Sequence, residues 1–327
     1  MAVVLGAVAL LCLAAAQPPP SFEDFPREDP GHLDGYCPSR GSNARDWRSG
    51  DLQGCTMLDL YSQGLNATTM MELSVILALE GKKVTWLELA RQMLTDGDEG
   101  DSPDTAGIVA TAEMLDANQQ VSTVRLGENH LRPAHAAVLA PAVNGQSGLA
   151  KLLLDKNEVQ AEGAAYLAEA LGSPTAHVTE LDLASNAVGN AGAAALGAAL
   201  LTAPSITVLS LENNGIGADG VAPSFGEALK VNGQLERLVL RLNSIGNAGC
   251  VSIAEGLAAN PASGLLSMDL FGNDLGDSAA SALASALQAP GVQLQELGLG
   301  KNEIGDDGAV ALVRFSYCLL MHFRTDF

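Results

Sequence analysis

The residues able to do chemistry are few, and their spacing argues against most of the chemistry they might do. The acidic run Thr95–Asp104, TDGDEGDSPD, tempts a calcium reading. Counted from Asp96, however, loop position five is Gly100 and position twelve is Gly107, where an EF-hand loop needs oxygen ligands. A solvated acidic loop fits better. The five histidines, His32, His130, His135, His177 and His322, are scattered, and no cysteine pair has CxxC spacing. No zinc site is expected, and no other metal or cofactor. No Ser-His-Asp or Cys-His set, Walker loop or GxGxxG after a strand is found, so no catalytic residue is assigned. Two covalent possibilities remain. Asn66-Ala67-Thr68 is a glycosylation sequon, meaningful only in an exported chain. Cys37 and Cys55 flank a polar, loop-like segment, and either bridge it in an exported chain or stay free thiols. Cys250 lies in a small-residue helical slot and reads as core packing.

The elements that would position these residues come from a repeat. Aligned on an asparagine, VSTVRLGEN ends at Asn129, LAKLLLDKN at Asn157, VTELDLASN at Asn186 and ITVLSLENN at Asn214. LERLVLRLN ends at Asn243, LLSMDLFGN at Asn273 and LQELGLGKN at Asn302, with steps of 28 to 30 residues. Two weaker copies end at Gln63 and Gln92, and the 37-residue gap to Asn129 holds one inserted loop. Nine repeats therefore fill residues 55–314. Each reads LxxLxLxxNxIGxxGAxxLAxAL. The LxL part has a strand's period of two, and the alanine-rich part a helix's spacing. Such a unit covers its apolar face only by stacking on neighbours. Strands stack about 4.8 Å apart and helices about 8–10 Å, so the array bends with strands inside. Alanine and glycine thin the helices and let them approach closely.

The asparagine has its own task. Where the chain leaves the strand, backbone groups lose their ladder partners, and a buried carboxamide supplies donors and an acceptor. Glutamine at 63 and 92 lengthens the arm, so looser geometry is expected there. Gly189, Gly217, Gly246, Gly276 and Gly305 are expected to permit a tight entry to each helix.

This pattern, over about 260 of the 327 residues, resembles the leucine-rich repeats of the ribonuclease-inhibitor subtype. That group includes ribonuclease inhibitor, the sensor arrays of NOD-like receptors and the Ran GTPase-activating protein. The resemblance implies an α/β solenoid, a horseshoe with parallel strands on the concave face and helices on the convex face. It does not fix a partner.

Positions three, five, seven and eight of LxxLxLxxN face the concave surface or its rim. They carry seven cations and nine acids, although the chain as a whole has 17 Lys plus Arg, 38 Asp plus Glu and a net charge of -21. The acid is therefore concentrated elsewhere. A chain this acidic repels nucleic acid and anionic membranes. Aromatic and cationic residues of the kind interfaces favour mark this face: Tyr61, Trp86, Arg125, Lys151, Arg237, Arg241 and Phe271. The expectation is a non-catalytic scaffold that binds a protein there. The alternative is a GTPase activator resembling the Ran type, which would be intracellular; that family's functional arginine is not assigned to a position here.

The ends read differently. Residues 1–16 are apolar and end in Ala14-Ala15-Ala16, the form of a secretory signal peptide, though no Lys or Arg precedes the apolar stretch. They are too short for a comfortable span, so no membrane span is expected after their removal. The chain is then secreted or surface-exposed; an intracellular chain with an apolar N-terminus is the other reading. Residues 17–54 read as a proline-rich arm and N-terminal cap, and 315–327 as an irregular tail.

Overall fold

The computed structural model describes residues 36–38, 52, 54–80, 83–92, 94, 105–146, 148–316 and 322–324. The apolar segment 1–16, most of the arm, the acidic run 95–104 and Cys318 lie outside the described residues.

Among the described residues, eleven three-residue strands form one parallel sheet in sequence order. They are β1 Tyr36–Pro38, β2 Met57–Asp59, β3 Trp86–Glu88, β4 Thr123–Arg125, β5 Lys151–Leu153 and β6 Glu180–Asp182. β7 Val208–Ser210, β8 Arg237–Val239, β9 Ser267–Asp269, β10 Glu296–Gly298 and β11 His322–Arg324 complete it. The nine strands β2 to β10 start at the third residue of the nine LxxLxLxxN copies. Their register is uniform: Trp86 pairs with Met57 and Thr123, and Arg237 with Val208 and Ser267. Strict period two then sends every middle residue inward. Leu58, Leu87, Val124, Leu152, Leu181, Leu209, Leu238, Met268 and Leu297 are all at most 1% exposed.

Between strands run α1 Ala67–Glu80, α2 Ala106–Ala117, α3 Pro133–Pro141, α4 Gln160–Leu171 and α5 Gly189–Ala199. They continue as α6 Ala218–Val221, α7 Phe225–Leu229, α8 Gly246–Ala259, α9 Asp277–Ala286 and α10 Asp306–Ser316. Pro223 lies between α6 and α7, where it interrupts what elsewhere is one helix. Small residues do bring these helices together: a Cβ on Gly192 of α5 would lie 3.1 Å from the Ala161 Cα of α4. One continuous aliphatic core joins Leu52 to Leu312. No helix among the described residues is long and apolar enough to cross a membrane.

The ends of the sheet and the entry glycines depart from the sequence reading, and the structure takes one of the two readings left open for Cys37 and Cys55. The arm and the tail each contribute a strand, β1 pairing with β2 and β11 with β10, so residues 315–327 are not wholly irregular. β1 is held by a Cys37–Cys55 disulfide, with the Cα atoms 5.7 Å apart. Of the five entry glycines, only Gly189 and Gly246 take a left-handed φ, both +60°. Gly217 (φ -103°) and Gly276 (φ -110°) do not need glycine's backbone freedom. At both, the backbone N–H is held by a side chain of the preceding repeat. The Asn190 Oδ1 accepts the Gly217 N–H (2.7 Å), and the Asn247 Oδ1 accepts the N–H groups of Gly276 (2.9 Å) and Ala279 (3.2 Å). Asp277 likewise accepts from Gly305 and Gly308, at 2.7 and 3.0 Å. These three helix starts, of α6, α9 and α10, are thus capped from the repeat before each, an inter-repeat use of the ordinary N-cap.

Candidate concave interface

The concave residues stand on a scaffold built by the asparagines. The Asn214 Oδ1 accepts the N–H groups of Asn186 (2.9 Å) and Val188 (3.1 Å), and its Nδ2 donates to Leu183 O and Glu212 O. Asn243 repeats this on Asn214 and Ile216, and Asn302 on Asn273 and Leu275. Asn129, Asn157, Asn186 and Asn273 occupy the same place. Gln92 does the same work and is buried: its Oε1 accepts the Leu65 N–H and its Nε2 donates to Leu60 O and Ala90 O. The looser geometry expected there occurs at Gln63 alone, whose Nε2 donates only to the Tyr61 carbonyl within its own repeat.

The eighth residue of each unit was not foreseen as special. All nine, Ser62, Arg91, Glu128, Lys156, Ser185, Asn213, Leu242, Gly272 and Lys301, have φ between 50° and 65°. This left-handed turn throws the next side chain into the spine. It also carries the sheet's hydrogen bonding beyond the strands: Asn213 N–H donates to Arg241 O (2.9 Å) and Leu242 N–H to Phe271 O (2.8 Å). No periodicity reports a backbone angle, so only the excess of polar residues there hinted at it.

At the N-terminal end, Tyr61 is 38% exposed and Arg91 lies 5.8 Å from its ring. Arg91 also pairs with Glu128 (2.6 Å), which Lys156 approaches at 3.4 Å. Burial pushes the Glu128 carboxyl up, but the two cations outweigh it and hold it below its usual value. Trp86 is part-buried in β3.

The middle of the face is different. Arg125 pairs with Asp155 (2.9 Å) and approaches Glu88 (3.6 Å). Burial pushes the Glu88 carboxyl to about 7 despite Arg125, and pushes Asp182 to about 7, with Asp155 adding repulsion. Carboxyls titrating near neutrality are the usual material of acid–base catalysis. Here the geometry gives them a structural task. Asp59, Glu88, Asp182 and Asp269 each accept the backbone N–H two residues on, from Tyr61, Ala90, Ala184 and Phe271, at 2.9 to 3.0 Å. Four repeats use the same strand-end cap. Arg125, counted at sequence level among partner contacts, is spent in this layer. Lys151 sits at its edge on Glu180 (2.7 Å), with 43% of its side chain exposed.

Toward the C-terminus three side chains from successive repeats converge. The Arg241 guanidinium lies 4.4 Å from the Phe271 ring centre and the Lys301 ammonium 5.2 Å from it. Arg241 is held by Asp269 (3.0 Å) and approaches Glu212 (3.7 Å). Arg237, four residues before Arg241, is part-buried in β8. Leu242 is 43% exposed at φ 52°. A branched apolar side chain gains little from exposure, and the left-handed backbone disfavours it by about 1–2 kcal/mol. Leu242 and Lys301 complete the cluster. Among the described residues no three His, Cys, Asp or Glu side chains converge as metal ligands.

An open parallel sheet with one helix-bearing connection per strand and a buried asparagine spine defines a leucine-rich repeat protein, and the comparisons agree. A family model described as Leucine Rich repeat matches residues 176–197, 202–223, 234–254, 265–284 and 294–313. The chain carries leucine-rich repeats and is similar to ribonuclease inhibitor. Ribonuclease inhibitor of Sus scrofa is 31% identical over 199 residues, 61% of this chain and 43% of that one. The human NACHT, LRR and PYD domains-containing protein 14 is 26% identical over 251 residues, 76% of this chain and 22% of that one. The chain thus spans less than half the length of these relatives. In fold it resembles the leucine-rich repeat-containing protein LegL7 of Legionella pneumophila, with a TM-score of 0.52 at 18% identity, covering 87% of each chain.

Proposed function

We propose that this chain is a non-catalytic scaffold that takes a partner protein on its concave face, with the Arg241–Phe271–Lys301 cluster and Leu242 as the main contact. The observation that supports it most is Leu242. It stands exposed in a backbone conformation that disfavours it, beside a preorganised cation–aromatic stack. Folding alone does not call for a leucine there, whereas recognition uses rigid aromatic, aliphatic and arginine anchors at a low entropy cost. Tyr61, Arg91 and Trp86 form a second, smaller contact at the other end. Ribonuclease inhibitor, by its name, acts on another protein, which supports the same reading. The partner is of balanced or mixed charge, because most concave cations already hold acids of their own.

A photo-crosslinking residue placed at 242, and in a separate chain at 231, tests it. Val231 is also strongly exposed, at 65%, but follows α7. Crosslinks to a saturable partner at 242 and none at 231 are expected. The reverse pattern rejects the concave face.

A further inference from the structure

We propose that Asn66 carries an N-linked oligosaccharide, attached in the same oxidising compartment that forms the Cys37–Cys55 disulfide. Asn66-Ala67-Thr68 is the sequence's single Asn-x-Ser/Thr site. A bare sequon is weak, and the structure adds to it in three ways.

Asn66 is exposed at the turn that opens α1. Its carbonyl accepts the Met70 N–H (2.9 Å), its Oδ1 accepts the Thr69 N–H (3.1 Å), and its own N–H donates to Thr69 Oγ1 (2.8 Å). This reciprocal cap holds the carboxamide by its oxygen. The described contacts give the Nδ2 no hydrogen bond. The spine asparagines show the opposite arrangement. The Nδ2 of Asn214 is held against two carbonyls, and that of Asn243 against three. Two residues on, they carry core side chains (Ile216, Ile245) where a sequon needs a hydroxyl. The asparagines that must stay bare to hold the stack are therefore excluded by the same apolar pattern that builds it. Finally, the disulfide is independent of the sequon and points to the same route, since such bridges persist in secretory and extracellular surroundings.

The Asn66 amide nitrogen attacks the anomeric carbon of an oligosaccharide carried on a lipid pyrophosphate. The new C–N bond forms as the C–O bond to phosphate breaks, the electron pair leaves with the lipid pyrophosphate, and one amide proton passes to a base of the transferase. Oδ1 remains an acceptor, so the helix cap survives the modification.

The full chain, tagged at its C-terminus and produced in animal cells, is treated with peptide-N-glycosidase, and the mass of the peptide containing residue 66 is followed. A shift of one glycan is expected in wild type and in Thr68→Ser. Its complete loss is expected in Thr68→Ala, which spares the Asn66–Thr69 cap. Resistance of Cys37 and Cys55 to alkylation confirms that each variant folds. An unshifted wild type, a shift that persists in Thr68→Ala, or recovery of the chain with both cysteines alkylated in the cytosol overturns the proposal.

Discussion

The asparagine spine and the C-terminal concave cluster lie only a residue or two apart in each repeat, yet they are built on opposite principles. In the spine the same residue type recurs, it is buried, and both ends of its carboxamide are used. Asn214 and Asn243 are 2% and 6% exposed. In the cluster no two repeats agree: position seven is Glu212, then Arg241, then Phe271, then Gly300. Identity across repeats marks what each unit needs from its neighbour. Difference across repeats marks what the stack as a whole can offer to something else. The middle layer of Glu88, Arg125, Asp155 and Asp182 stands between: its residues vary, but its backbone caps recur.

The largest expected effect falls on the spine. Asn214→Ala leaves the N–H groups of Asn186 and Val188 and the carbonyls of Leu183 and Glu212 without that partner. Several buried unsatisfied groups at about 1–3 kcal/mol each, eased by relaxation, give a loss of about 3–5 kcal/mol. Denaturant titration should show the midpoint falling at an unchanged slope. A loss below about 1 kcal/mol, the size expected of an exposed contact, would erase the distinction between spine and face.

Asp182 sharpens the position of the middle layer. Its unfolded value is 3.8 and its folded value about 7, so its favourable contribution is complete below about pH 4 and lost as pH rises through 7. Above that, the buried carboxylate destabilises the fold. Asp182→Asn keeps an acceptor for the Ala184 N–H without the charge. It should gain about 2 kcal/mol at pH 8, at about 1.4 kcal/mol per pKa unit discounted for relaxation, and almost nothing at pH 4. Thermal melts at the two pH values check this. An equal effect at both would assign Asp182 a role other than a buried charge.

Leu242→Asn tests the cluster from the side of folding. Asparagine tolerates the left-handed region, so stability should rise by about 0.5–1 kcal/mol while partner retention falls. A variant that is both more stable and equally competent would remove Leu242 from the interface. Smallest of all, Lys151→Ala should change stability by less than about 0.5 kcal/mol, since a half-exposed ion pair is screened by solvent and salt.

Most of the fold was legible because it is periodic. The asparagine steps of 28 to 30 residues located β4 to β10, and the two copies ending in glutamine located β2 and β3, since one slip in register would turn every buried leucine outward. β1 and β11 were not legible: neither YCP nor HFR carries the repeat's leucine pattern, and each becomes a strand by pairing with a formed neighbour. The glycines at 217 and 276 were misread because the letter alone does not report the backbone angle, and at these two φ is one that any residue adopts. At the concave face, the residue types were visible but their commitments were not. Arg125 and Arg241 look alike in the sequence. Only coordinates show Arg125 inside a carboxylate layer and Arg241 on an aromatic ring.

The division of labour is tested most directly by measuring stability and partner retention on one sample of the double variant Arg241→Ala, Phe271→Ala. Both residues stand on the face, outside the spine and core, so the melting midpoint should fall by only a few degrees, as for a loss near 1 kcal/mol in a chain of this size. Partner retention should fall at least tenfold, the equivalent of about 1.4 kcal/mol. Full retention by the folded variant would contradict the account.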